Sequence, residues 1–112
     1  MNKELILIDF DKTIQEAIEK IILNKTRTIF VVKKNKVIGT LSEGDILRSL
    51  FEKKNLQTPL LNMINKNFKY ILEDNNSIAE AKKIFKKFSV LIIPVLSDKG
   101  KLVSFYNIND VV

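Results

Sequence analysis

The hydrophobic and polar positions of the chain follow the same order twice. In each half, a capped amphipathic segment with apolar residues at helical spacing precedes an apolar strand, a polar turn and a second strand. Thr13 returns as Ser77, and the apolar residues 29–32 return as residues 93–96, in each case 64 positions later. A unit repeated in this way predicts two similar halves facing a shared cleft, rather than one catalytic centre.

The repeated pattern predicts two α+β units with the element order β-α-β-β-α. In the first unit we expect strands at residues 5–8, 28–32 and 37–41 and helices at 14–22 and 43–54. In the second we expect a short helix at residues 59–64, strands at 69–72, 90–96 and 102–106, and a helix at 78–88. Capping boxes, in which a hydroxyl and a Glu carboxylate cap the same helix, are predicted at Thr13 with Glu16 and at Ser77 with Glu80. Neither unit can bury its sheet face alone, so the two should pack together.

The expected boundaries are residues 1–57 for the first repeat and 58–112 for the second. After Asp45 the first repeat continues into a helix, whereas after the corresponding Asp110 only two residues remain. We therefore expect the last helix of the second repeat to be truncated and the chain to be a piece of a longer protein.

The composition limits the chemistry open to the protein. With 112 residues and 46% apolar residues, the chain can build one compact domain or two very small ones. No apolar run reaches the roughly 18 residues of a membrane span, and the N-terminus lacks a signal-peptide pattern, so we expect a cytoplasmic protein without a membrane partner. Cysteine and histidine are absent, which excludes disulfides, thiolate chemistry, imidazole acid–base catalysis and most zinc sites.

The net charge of +6 favours an anionic partner. Lysines account for 17 of the 19 basic residues; they are spread over both repeats and interleaved with acidic residues. Because no known nucleic-acid-binding motif accompanies this charge, a solvated lysine-rich surface is favoured over a nucleic-acid interface.

The ordered set of motifs resembles the cystathionine β-synthase (CBS) domain pair, also called the Bateman module. The resemblance covers essentially the whole chain and rests on the two capping boxes, the apolar strands 29–32 and 92–96, and the segment 39–48, GTLSEGDILR. It implies tandem CBS domains packed through their sheets about a pseudo-twofold axis. It also implies a cleft for AMP, ADP, ATP or S-adenosylmethionine, no further cofactor and no metal, and a regulatory role toward an attached enzyme or transporter.

Residues 36–48 suit a nucleotide chemically. Gly39 has no side chain, so a ligand ring could approach the strand closely, and Ser42 stands where N–H groups at a helix start are free to meet an anion. Asp45 could accept both hydroxyls of a ribose, and Arg48 and Lys36 could meet phosphates. The alternative is that Ser42 and Asp45 only cap the helix, for which their spacing is equally good.

The second cleft departs from the family pattern. Ser104 replaces the glycine, Asn107 stands where Ser or Thr is usual, and Phe105 and Tyr106 add bulk. We therefore expect one competent site rather than two. The ligand-binding residues expected for the pair are Thr13, Lys36, Gly39, Ser42, Asp45, Arg48, Ile93, Pro94, Asn107 and Asp110.

Two further resemblances point to enzymes. Residues 62–67 and the Ser-Glu-Gly-Asp run are similar to the CBS pair ahead of bacterial sugar-phosphate nucleotidyltransferase domains, whose catalytic motifs this chain lacks. Asp9, Asp11 and Thr13 match the Asp-x-Asp-x-Thr signature of haloacid dehalogenase-like phosphatases, in which the first Asp is a nucleophile. That fold needs a larger doubly wound sheet, and the repeat already assigns Thr13 to a helix cap.

These observations predict a nucleotide-sensing regulatory module that is not itself an enzyme. The alternative from another class is a ligand-free module that only dimerises its host. In either case we expect a homodimer, because Leu47, Leu50 and Phe51 should leave an apolar helix face uncovered.

Overall fold

The fold consists of two three-stranded sheets, one from each repeat, with helices on their outer faces. The computed structural model describes residues 3–52 and 54–111. The elements of the first repeat are β1 (Leu7–Asp9), α1 (Ile14–Asn24), β2 (Thr28–Lys33), β3 (Lys36–Ser42) and α2 (Glu43–Phe51). The elements of the second are β4 (Ile71–Leu72), α3 (Ile78–Lys87), β5 (Ile92–Leu96), β6 (Leu102–Asn107) and α4 (Ile108–Val111). The predicted fold class and element order are confirmed.

Both sheets have the same topology. The central strand pairs in parallel with the first strand and antiparallel with the third, giving the orders β1-β2-β3 and β4-β5-β6. A register irregularity falls between Val31 and Val32 in β2 and between Val95 and Leu96 in β5, at corresponding positions of the repeat. The repeat therefore extends to the detail of strand pairing.

The apolar residues form three layers. The outer layers lie between each sheet and its helices, with Ile29 and Val31 in the first repeat and Ile93 and Val95 in the second. The central layer joins the two sheets and contains Ile6, Phe30, Val37, Ile92 and Leu96. Because side chains alternate along a strand, the central strands β2 and β5 are covered on both faces. The expectation that the sheets pack against each other is confirmed.

The helix caps differ from the predicted ones. Thr13 Oγ1 accepts the N–H of Glu16, but the Glu16 carboxylate lies 3.9 Å from Lys12 Nζ and not at the cap. Ser77 likewise provides only the hydroxyl half of its predicted box. The complete capping box forms instead at the start of α2, between Ser42 and Asp45.

Several predicted boundaries were too generous. The helix expected at residues 59–64 is a single 3-10 turn at Leu60–Asn62, and the strand expected at 69–72 is limited to Ile71–Leu72. Helix α2 ends at Phe51, and position 53 of its predicted extension lies outside the described residues, as does Val112 after α4. Helical spacing puts Ile22 of α1 and Ile78 of α3 on the apolar faces of their helices, but in the structure they are 67% and 57% exposed.

No helix among residues 3–52 and 54–111 is long and apolar enough to cross a lipid bilayer.

Replacing Phe30 by Ala should lower the free energy of unfolding by about 3–5 kcal/mol. The Phe30 ring is fully buried between the sheets and meets the Phe105 ring edge to face at 6.3 Å. Tyr70→Ala is the matched control, because that ring is 49% exposed, and it should cost about 1 kcal/mol or less. Denaturant titration measures both variants, and equal losses would show that the central layer is not the main source of stability.

Candidate functional site

Three hydroxyl side chains lie on the inner face of the first sheet, at its edge toward the second repeat. Thr28 pairs with Ser42 across β2 and β3, and Thr40 lies two residues before Ser42 on the same strand. Thr40 pairs with Phe30, whose side chain belongs to the central layer, so all three hydroxyls face the second repeat. They provide the polar floor of a cavity.

Asp45 stands in the first turn of α2 above this floor. One carboxylate oxygen accepts the N–H of Ser42 at 2.9 Å, and the other is paired with the Arg48 guanidinium. Ser42 Oγ in turn accepts the N–H of Asp45 at 3.1 Å. A carboxylate has about four lone-pair sites, so these two bonds leave Asp45 able to accept further hydrogen bonds.

A second wall comes from the linker, which we define as residues 63–70, leading into β4. Asn65 pairs with Thr40 by two backbone hydrogen bonds, of 3.0 Å from the Thr40 N–H and 2.8 Å from the Asn65 N–H. This bridge holds the linker on the outer edge of β3. Met63, Ile64, Asn65, Asn67, Phe68 and Lys69 all line the cavity.

The third wall belongs to the second repeat and consists of residues 88–92, between the end of α3 and the start of β5. Lys69 Nζ lies 4.2 Å from the centre of the Phe88 ring, which holds a cation at the cavity. With Arg48, Lys69 provides two positive groups around a space of about 670 Å³. That volume lies within the range of small-molecule sites, roughly 300–1,000 Å³.

Comparisons with known proteins identify the fold. The family model described as "CBS domain" matches residues 1–52. Protein MJ1225 from Methanocaldococcus jannaschii superposes with a TM-score of 0.85 at 25% identity, over 99% of this chain and 46% of that one. Residues 1–52, most of the first repeat, thus match the CBS-domain family, and the chain has the fold of a CBS-domain pair.

Two solved structures with this fold contain nucleotides. The CBS domain protein PAE2072 from Pyrobaculum aerophilum, complexed with AMP, matches with a TM-score of 0.80 and 21% identity, over 96% of this chain and 87% of that one. The cytosolic domain of the Mg²⁺ channel MgtE, in complex with ATP, matches with a TM-score of 0.79 and 19% identity, over 99% of this chain and 45% of that one. No curated protein sequence matches the chain significantly.

The structure brings together three of the predicted ligand residues. Ser42, Asp45 and Arg48 all line the cavity, and the capping alternative holds at the same time, since Ser42 and Asp45 also form the box that starts α2. Gly39 lies beneath the linker rather than on the cavity surface. A Cβ atom there would be 2.8 Å from the Asn65 carbonyl oxygen, so the close approach that Gly39 permits in this structure is to the linker backbone.

Lys36 does not reach this cavity. It begins β3, and Ser42 ends it, so about 20 Å of strand separates the two residues. The Lys36 side chain lies beside Gly100 of the other hairpin, and Lys69 occupies the position near the cavity expected of Lys36.

The other residues expected from the resemblance also lie away from the cavity. Thr13 caps α1 and pairs with Pro59. Ile93 points to the layer between β5 and the helices of its repeat, because alternation turns it away from the first sheet. Pro94 is fully buried within β5, and Ile92 at the start of the strand lines the cavity instead.

The second cleft of the pair is organised differently. Asn107 Oδ1 accepts the N–H of Asn109 at 2.9 Å, and Asp110 is exposed in α4. Residues 24–28 of the first repeat correspond to the wall residues 88–92 of the second. Buried Asn24 uses its whole hydrogen-bonding capacity there. Its amide nitrogen donates to the carbonyls of Leu5 and Thr28, and its side-chain oxygen accepts from the N–H and the hydroxyl of Thr26. The polar groups of this wall are thus occupied by internal hydrogen bonds. That the pair has one ligand-binding site rather than two stays a prediction.

Most of the linker and second-repeat walls were missed from sequence. The 64-residue offset alone could have identified residues 88–92, since they repeat the segment that leads into β2. Strand alternation could have placed Thr40 beside Ser42 on one face. Nothing in the local pattern of residues 63–69 indicates that they line a cavity.

The phosphatase alternative does not fit the fold. Asp9 ends a strand of a three-stranded sheet, where that alternative requires a larger doubly wound one, and Thr13 is the cap of α1. Within residues 3–52 and 54–111, no cluster of three acidic side chains is arranged to hold a metal ion.

Proposed function

We propose that this CBS pair is a regulatory module that binds an adenosyl nucleotide in the cavity between its repeats. AMP, ADP, ATP and S-adenosylmethionine are the candidate ligands. The proposal rests on one observation: a cavity of about 670 Å³ joins a carboxylate, two cations, hydroxyl groups and an apolar wall from both repeats. The AMP and ATP complexes of PAE2072 and MgtE support an adenine nucleotide as the ligand.

Each part of a nucleotide has a matching group. Asp45 keeps unused lone pairs for the ribose hydroxyls, and a hydrogen bond to a charged acceptor contributes about 1.5–3 kcal/mol. Arg48 and Lys69 are the cations for phosphates. Val90, Leu91 and Ile92 supply an apolar surface for the base.

The location of the cavity explains how binding would regulate. Its walls belong to the first repeat, the linker and the second repeat, so a ligand that contacts all three favours the arrangement in which they fit it best. We propose that an attached domain responds to this arrangement and that the pair itself catalyses no reaction. A sugar-phosphate nucleotidyltransferase as that domain stays a prediction from the sequence.

Asp45→Ala should weaken nucleotide binding by about 10–100-fold, a loss of about 1.4–2.7 kcal/mol, measured by titration calorimetry with AMP and ATP. Since Asp45 also caps α2, Asp45→Asn is measured in parallel: it removes the charge but keeps an oxygen that can accept the Ser42 N–H. Circular dichroism and the free energy of unfolding show whether α2 remains intact.

The matched control is Asp110→Ala, which removes the carboxylate at the corresponding position of the second repeat, outside the cavity. It should leave affinity unchanged. A folded Asp45→Ala variant that binds as tightly as the wild type would limit Asp45 to its capping role.

Lys69→Met should weaken binding of ATP and ADP by about 5–10-fold while changing the affinity for adenosine little, because the lost interaction is with phosphate. Methionine keeps most of the apolar stem that lies against Phe88. Lys36→Met changes the net charge equally at the far end of β3, so it separates a local contact from the general charge. Equal losses for ATP and adenosine would contradict a phosphate contact at Lys69.

A second candidate role is self-association, which the exposed apolar residues of α1 and α2 favour. Leu47 is 60% and Phe51 90% exposed, and Leu47 borders a groove between α1 and α2 together with Ile18, Ile21, Ile22 and Leu50. Monomers rarely leave such residues clustered on the surface. The net charge opposes association, but charges are screened beyond about 8 Å at physiological salt.

We therefore expect a homodimer with a dissociation constant near one micromolar, or about −8 kcal/mol. Leu47→Asp should abolish it, whereas Ile78→Asp, at an exposed apolar position on α3, should not. Light scattering across a concentration series measures the mass. A single-chain mass up to about a hundred micromolar would leave the groove to another partner.

A further inference from the structure

Within the described residues, backbone hydrogen bonds join the linker to the first sheet at a single pair of residues. β3 is the edge strand of its sheet, and its outer side meets the linker only through the bridge between Thr40 and Asn65, among the backbone hydrogen bonds of the described residues. Both bonds, of 3.0 and 2.8 Å, belong to these two residues. Asn65 thus acts as a one-residue fourth strand on this edge, while the Val37 N–H near the start of β3 donates to the Gly100 carbonyl at 2.9 Å.

Gly39, the residue before Thr40, makes this approach sterically feasible. A Cβ atom at position 39 would lie 2.8 Å from the Asn65 carbonyl oxygen and 3.0 and 3.2 Å from Cδ1 and Cγ1 of Ile64. The first of these contacts is with backbone, so a change of side-chain rotamer cannot relieve it. A side chain at position 39 would therefore push the linker away from β3.

Displacement of the linker would reshape the cavity. Ile64 and Asn65 line it beside Thr40, and the linker continues from them to Phe68 and Lys69. Ile64 also covers Gly39, so a ligand ring in the cavity would meet the Ile64 side chain rather than the bare backbone of β3. Ser104 stands at the corresponding position of the second repeat and carries the Cβ that Gly39 lacks.

We propose that Gly39 is a positioning residue: its missing side chain lets the linker dock on β3 at Asn65, and the docked linker forms one of the two walls between which the nucleotide base packs, the other being residues 90–92. The docking step stands on the geometry alone, whereas the contact with the base rests on the proposed function. The two steps therefore call for separate measurements.

Hydrogen exchange tests the docking without any ligand. In the wild type the amides of Thr40 and Asn65 should be protected, and Gly39→Ala should speed their exchange by about tenfold or more while the amides of α1 stay protected. Gly44→Ala is the matched control: a Cβ there would lie 3.5 Å from Arg48 Nη1, an ordinary contact. Unchanged exchange in a folded Gly39→Ala variant would overturn the proposal.

Nucleotide titration tests the second step. Gly39→Ala should weaken AMP binding by about tenfold, and Gly44→Ala should not. Ile64→Ala should also weaken AMP binding but should keep the Thr40 and Asn65 amides protected, since it removes the wall and leaves the bridge. Faster exchange with unchanged affinity would overturn the role of the docked linker in binding.

Two possible outcomes of these experiments are interpreted separately. If the wild type binds none of AMP, ADP, ATP or S-adenosylmethionine, the proposed function fails, while the exchange data still decide whether Gly39 admits the linker. If Gly39→Ala does not fold, Asn65→Pro removes the amide that bonds to Thr40 from an exposed position. The proline ring would also fill the space between position 65 and the Thr40 carbonyl, so it should displace the carbonyl of residue 65 that accepts the Thr40 N–H. Full protection of the Thr40 amide in that variant would therefore refute the docking contact.

Discussion

The packing of one sheet against the other is the constraint on which the rest of the structure depends. Each sheet has three strands and a helical layer on one face only, so its other face would meet water if the repeats separated. Phe30 and Ile92 close that face from the two sides. Helix α2 begins directly after β3 ends, and residues 88–92 lead into β5. Packing the two sheets together therefore brings the start of α2 opposite residues 88–92, and both line the cavity. The cavity is a consequence of how the core is buried.

The sequence predicted the features that repeat along the chain and missed those that depend on distant backbone. The spacing of apolar residues identified both helices of the first repeat and the four strands β2, β3, β5 and β6, because that spacing indicates which face of each element is buried. The capping boxes were misplaced because a hydroxyl and an acid at the right spacing do not determine whether Glu16 turns to the cap or to Lys12. Lys36 was assigned to the site by charge, although strand length carries it to the opposite end.

Of the candidate site, Ser42, Asp45 and Arg48 could be predicted because they follow one another within a single strand-to-helix junction. The linker could not, because its contact with β3 is made by backbone atoms that any sequence carries. The one local sign is the absence of a side chain at Gly39, and that sign was interpreted as room for a ligand. A glycine reports that something comes close without reporting what it is.

Helix α2 carries two sets of side chains with different surroundings. Asp45 and Arg48 belong to the cavity, whereas Leu47 and Leu50 border the outer groove one turn away. If nucleotide binding at the cavity and association at the groove each favour one position of this shared helix, the two equilibria are linked, and linkage is reciprocal. If one nucleotide bound to each protomer changes the self-association constant by some factor, dilution of the protein must change the nucleotide affinity of each site by the square root of that factor. The apparent affinity of this module would then report its own abundance as well as the concentration of its ligand.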